Sequence, residues 1–111
     1  MLSFQRLDVY QRAIEFLALV VEITGELPKG NAERGDQLVR SAESVARNIA
    51  EGAGRWSGAD SAKHYKIARG EAMECAASLD VLKLRKLVGS PRYDEGIGLL
   101  EAVVGMLTKM I

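Results

Sequence analysis

Histidine, proline and cysteine are nearly absent from this sequence. It has one cysteine, Cys75, one histidine, His64, and two prolines, Pro28 and Pro91. A lone cysteine excludes an internal disulfide and fits a reducing cytoplasm. A lone histidine leaves too few ligands for the two Glu-x-x-His motifs of a di-iron bundle, and Glu71-x-x-Glu74 lacks the histidine altogether. Net charge is also missing: fifteen basic residues cancel fifteen acidic ones, so the molecule is not a polycationic nucleic-acid coat. No uncharged run nears the ~18 residues of a membrane span, and the N-terminus has charges where a signal peptide needs an apolar stretch. The chain reads as a soluble cytoplasmic protein with no membrane partner.

What is present is helix-forming material. Hydrophobic residues make up 48% of the 111 residues and charged ones 27%, which suits one folded domain and not a disordered chain. Three breaker clusters divide it: Pro28-Lys29-Gly30, the glycines 52, 54 and 58, and Gly89-Ser90-Pro91. Between them apolar residues recur at helical spacing, predicting helices over about 5–27, 35–54, 59–88 and 91–111. Ser57-x-x-Asp60 has capping-box spacing, and Ser90-Pro91 reads as an N-cap followed by the first helical residue. The predicted fold is all-α, an antiparallel up-down-up-down four-helix bundle in a single domain, 1–111.

Two helices carry more apolar surface than one bundle requires. In the fourth, the stripe Tyr93, Ile97, Leu100, Val104, Leu107, Ile111 runs beside a second one, Leu99, Val103, Met106, Met110. The first helix is apolar around more than half its circumference. A bundle helix needs one stripe of roughly 100°. The surplus reads either as a wide, well-packed core face or, the preferred reading, as a homo-oligomer with Leu99, Val103, Met106 and Met110 as candidate contacts between copies.

The stretch "NIAEGAGRWSGAD" (48–60) ends the second helix. Asn48 lies at a core border, where an unpaired amide costs about 1–3 kcal/mol, so it is expected to tie neighbouring elements together. Gly52 and Gly54 are expected to take positive φ and end the helix. Trp56 is expected to cover the end of the bundle or to stand at an interface.

The order "LDVYQRAIEF" (7–16), "LP" (27–28), "QLVRSAESVARNIAEGAGR" (37–55), Ser57, Asp60 and "YKIARGEAMEC" (65–75) resembles the four-helix-bundle family of intervening-sequence proteins, named after reading frames inserted in bacterial large-subunit ribosomal RNA genes. The resemblance covers nearly the whole chain. It implies a ring-like homopentamer without established enzyme activity. It also implies a likeness to the accessory protein of diversity-generating retroelements, which binds nucleic acid and a reverse transcriptase. The signature residues it carries over are Asn48, Ile49, Ala50, Glu51, Gly52 and Arg55, with Ala68, Gly70 and Glu74 on the third helix. Two positions depart from the pattern: Glu71 stands where serine is usual, and His64 where an aromatic is usual.

No catalytic set emerges. Cys75 lies in a helical core stripe, where a thiol is inert. A Ser-His-Asp triad would have to be built around the one histidine, and the glycines 52, 54 and 58 lack the lysine and the preceding strand of a phosphate loop. The expectation is therefore a non-enzymatic assembly or interaction protein with no metal, cofactor or small-molecule substrate. The alternative is a nucleic-acid-binding accessory protein, RNA or DNA, using Arg40, Arg47, Arg55, Lys63, Lys66 and Arg69. Repetition around a ring would multiply that modest patch, although interspersed acids also fit a plain solvated face.

Overall fold

In a computed structural model describing residues 1–111, the chain forms four α-helices and no strand. A short 3₁₀ turn, Ser3–Arg6, precedes α1, Asp8–Gly25; then follow α2, Ala32–Ala53, α3, Gly58–Leu84, and α4, Ser90–Met110. Each helix packs on its neighbours in sequence, and α1 also packs on α4, so the four close into a square, 45 × 23 × 21 Å. Cross-helix pairs show that neighbours run antiparallel. Asn48 meets His64 between α2 and α3, Arg69 meets Thr108 and Asp80 meets Tyr93 between α3 and α4, and Glu22 and Glu26 meet Arg92 between α1 and α4. No helix is long and apolar enough to cross a membrane.

The breakers act where the sequence places them, with local shifts. Leu2 N–H donates to Gln5 Oε1 at 2.7 Å, which holds the first residues in the 3₁₀ turn and delays α1 to Asp8. Ser57 Oγ accepts from the Asp60 amide at 3.1 Å, the expected cap of α3. The cap of α4 lies one residue earlier than expected, at Gly89, with Ser90 already helical. The largest shift is the end of α3, four residues short of the predicted Val88. Lys86 takes a left-handed φ of 62°, and the amides of Lys86 and Leu87 turn back to the carbonyls of Lys83 and Leu82. This is a Schellman ending without its usual glycine. Leu87 and Val88 then fold back onto the core.

The core takes Val9, Ala13, Phe16, Val20 and Ile23 from α1, Leu38, Ala42, Val45 and Ile49 from α2, and Tyr65, Ala68, Ala72, Cys75, Leu79 and Leu82 from α3. In α4 the buried line is Gly96, Leu100, Val103, Leu107, which runs between the two stripes read from the sequence. Gly96 explains the rotation: a Cβ there would sit 2.8 Å from Leu79 Cδ1 and 3.4 Å from Leu19 Cδ2, so this side of α4 can approach most closely. Val103 is thus corrected from a contact between copies to a fully buried core residue, at 0% exposure. Leu99, Met106 and Met110 are half-buried against the same core, while Ile111, expected inside, is exposed.

The surplus apolar surface lies on α1 and α3. Ile14 and Val21 of α1 are 40% and 56% exposed, and Ile67 and Val81 of α3 are 41% and 44% exposed. The sequence reading anticipated the α1 surface and missed that of α3.

Candidate functional site

The corner between α2 and α3 gathers most of the signature residues, and packing explains their spacing. Gly52 is buried in the last turn of α2 with the Tyr65 ring over it. A Cβ at Gly52 would lie 2.5 Å from Tyr65 Cε1 and 2.8 Å from Cδ1, distances that carbon atoms do not tolerate. The expected positive φ is absent at both glycines: Gly52 is helical and Gly54 caps α2 at φ −87°. Gly30 is the sole positive-φ glycine, at 96°. Glycine stands at 52 for the space it leaves, not for its backbone freedom.

One turn earlier, Asn48 bonds the backbone of its own helix and reaches α3 through the His64 side chain, not through a neighbour's backbone. Its Nδ2 donates to the Ser44 carbonyl at 2.9 Å and reaches Ser44 Oγ at 3.2 Å, which turns Oδ1 toward His64 Nδ1, also at 3.2 Å. Glu51 Oε2 approaches the same ring nitrogen at 3.3 Å. Flanked by two acceptors, Nδ1 is assigned the ring proton. His64 is half-buried, so the position where an aromatic is usual has become a polar clasp between helices. Arg55 reaches Glu51 at 3.8 Å in an exposed pair worth at most ~1 kcal/mol. Trp56 is completely exposed and covers nothing within the chain.

Farther along α3, Cys75 is fully buried and its thiol is pushed up to about 12 by loss of solvation, with the carboxylates of Glu71 and Glu74 adding to the rise. Such a thiol stays protonated and unreactive near neutrality. Glu71 is itself raised, first by burial and then by its hydrogen bond with Glu74 and that group's charge. Neither carboxylate forms an ion pair with a lysine or arginine of the chain. Glu74 lines a hollow of about 310 Å³ between α2 and α3, together with Arg34, Gln37, Ser78 and Val81. No group of three His, Cys, Asp or Glu side chains is placed to hold a metal ion.

The six basic candidates do not converge. Arg47 pairs weakly with Glu43 at 3.6 Å and lines an apolar groove between α1 and α2, with Tyr10, Ile14 and Leu17. Lys66 and Arg69 line a hollow between α3 and α4, on the opposite side of the square, where Arg69 Nε donates to Thr108 Oγ1 at 2.9 Å. Arg40 and Lys63 are exposed, and Arg55 belongs to the α2–α3 corner.

Residues 5–109 match the family model described as 23S rRNA-intervening sequence protein. Among solved structures, the chain is similar to a protein of unknown function from the S23 ribosomal protein family of Bacteroides thetaiotaomicron. The TM-score is 0.84 at 23% identity, over 92% of this chain and 93% of that one. At that identity the likeness concerns the fold. A search of curated proteins found no match.

Proposed function

The chain belongs to the 23S rRNA-intervening sequence protein family, and from that premise we propose that it is a non-enzymatic module that assembles with copies of itself. The carrying observation is the apolar surface left outside a complete core: Ile14 and Val21 on α1, Ile67 and Val81 on α3, and the uncovered Trp56. A chain that has filled its own core gains nothing from these side chains in isolation, whereas contact between copies removes them from water. A closed ring satisfies every copy equally, and five is the number the family resemblance implies. The polar clasp at the α2–α3 corner ties the two helices to each other. Sedimentation velocity tests the reading. It predicts a discrete species several times the 12.1 kDa chain mass; a strictly monomeric chain refutes it.

A second reading, nucleic-acid binding, is favoured by Lys63 and Lys66, which are exposed and free of acidic partners on the first turns of α3. A ring would repeat them around its axis and raise avidity for a polyanion. This reading predicts a salt-sensitive shift of structured RNA, weakened in a Lys63/Lys66/Arg69→Ala variant. Absence of a shift at low salt removes it.

A further inference from the structure

The glycines inside helices divide by their surroundings: Gly98 and Gly105 of α4 face open space beside the polar Glu101 and Thr108, whereas Gly70 faces it beside the exposed Ile67. Cβ atoms at Gly52 and Gly96 would strike Tyr65 and Leu79, but one at Gly70 would meet nothing within 4 Å. Glycine inside an exposed helix costs about 1 kcal/mol relative to alanine. No contact within the chain offsets that cost at Gly70. It lies on the outward line of α3, Ile67, Gly70, Glu74, Ala77, Val81, all of which are exposed.

Beside this line stands the Glu71–Glu74 pair, two carboxyl groups in contact with no cation of the chain to neutralise them. The complementary features occur on the adjoining side of the bundle. There the groove of about 230 Å³ between α1 and α2 is lined by Tyr10, Ile14, Leu17 and Ala46, with Arg47 at its edge. Arg47 is 74% exposed and engaged only by Glu43 at 3.6 Å. Arg40 continues the same helical line seven residues away and is unpaired.

Heights along the bundle match as well. Residue 48 lies opposite residue 64, while residues 34 and 37 line one hollow with residues 74–82. Glu71 and Glu74 therefore sit near the level of Arg40, while Arg47 stands near the level of Tyr65 to Ile67. The groove places Ile14 and Leu17 beside Glu43 and Arg47, so they stand near the level of Ile67 and Gly70.

We infer that the outer face of α3 around Gly70, with Glu71 and Glu74, receives the α1–α2 groove of a second copy, bringing Arg40 to the two carboxylates and the groove's Ile14 and Leu17 to Ile67. This rests on the self-assembly reading and specifies the surfaces it uses. The contact is heterologous, since one copy offers its groove and the next its α3 face. The two surfaces lie on adjoining sides of the square, so successive copies turn through a constant angle instead of stacking in line. Such a contact closes into a ring when the turn divides a full circle. At Gly70 the absence of a side chain lets the incoming α1 approach closely.

Two cysteine variants test the pairing. Ile14→Cys and Ile67→Cys, each alone, should form no intermolecular disulfide under mild oxidation, whereas an equimolar mixture should give the covalent dimer. The double variant should give a ladder. In parallel, Gly70→Leu should weaken association roughly 10-fold or more while helicity and thermal unfolding show a folded chain. Glu74→Arg should weaken it too, and Arg40→Glu in the same chain should restore it. If the wild-type chain is monomeric, the self-assembly reading fails together with this one. If it assembles but Gly70→Leu assembles equally well and the mixture yields no cross-link, only the surfaces assigned here are wrong.

Discussion

The two sides of α3 are built from the same helix and do different work. The inner line, Tyr65, Ala68, Ala72, Cys75, Leu79, Leu82, is buried throughout and steps by threes and fours along the core. The outer line, Ile67, Gly70, Glu74, Ala77, Val81, repeats the spacing with apolar and small residues around one carboxylate, Glu74, and is covered by nothing in the chain. An exposed helix face on a monomer is normally charged or polar. Apolar character on both sides of one helix therefore separates two demands: the inner side closes the bundle, and the outer side is available to a partner. Paired variants across α3 should respond differently.

The largest difference should come from truncating one leucine and one valine. Leu79→Ala removes a fully buried side chain and should lower stability by about 2–5 kcal/mol, read from the urea midpoint. Val81→Ala, two residues on but outward, should stay within about 0.5 kcal/mol at chain concentrations too low for assembly. Equal losses would mean that the two sides are not distinct.

The glycines give a difference in sign. Gly52→Ala places a methyl against the Tyr65 ring and should cost about 1–3 kcal/mol, less whatever alanine returns in helix propensity. Gly70→Ala meets open space and should raise the stability of the dilute chain by up to about 1 kcal/mol. A loss at both positions would show that Gly70 answers to something inside the chain.

The corner clasp should respond less. Asn48→Leu removes the tie to Ser44 and leaves His64 Nδ1 with Glu51 alone, for a loss of about 1–2 kcal/mol in the same assay. An unchanged melting temperature and oligomer size would remove the clasp from the account.

The smallest effects are in pH. The Cys75 thiol is raised from an ordinary 9.0 to about 12 because burial disfavours the thiolate. The neutral thiol's contribution is thus fully present below about pH 9 and is lost as pH rises toward 12. Labelling with a thiol reagent at pH 8 should be slow in the folded chain and fast in urea. Glu71 is also raised, so its protonated form is favoured in the folded state. In the dilute chain, its contribution should grow as pH falls through the carboxylate range, and Glu71→Gln should flatten that dependence.

Much of the bundle was legible in the sequence because its signals are local. The Ser57–Asp60 cap, the Pro28 and Gly89 breaks and the periodic stripe on α3 depend on spacing alone, and they reappear in the structure. What could not be read depends on contacts between helices. The face of α4 turns on Gly96, which carries no hydrophobic signal, yet its bare backbone lets Leu79 and Leu19 approach. The end of α3 turns on Lys86 in a left-handed conformation that glycine would have advertised. Gly52 reads in the sequence as a positive-φ helix end and proves to be a seat for Tyr65, a contact thirteen residues away in sequence. The basic residues suggested one patch because they are close in the sequence, whereas Arg47 and the Lys66/Arg69 pair face opposite sides of the square. The open space at Gly70 is shared with Gly98 and Gly105, but of these three only Gly70 adjoins an exposed apolar side chain, Ile67, and this too emerges only from the packed helices.

The central claim is that the inner side of α3 holds the chain together and the outer side joins copies. It is tested most directly by sedimentation velocity on Gly70→Leu beside the wild-type protein, both confirmed as folded by circular dichroism. The account predicts a wild-type species several times 12.1 kDa and a variant shifted to the 12.1 kDa chain mass. A wild-type protein sedimenting as the single chain, or a variant sedimenting like an assembled wild type, would contradict it.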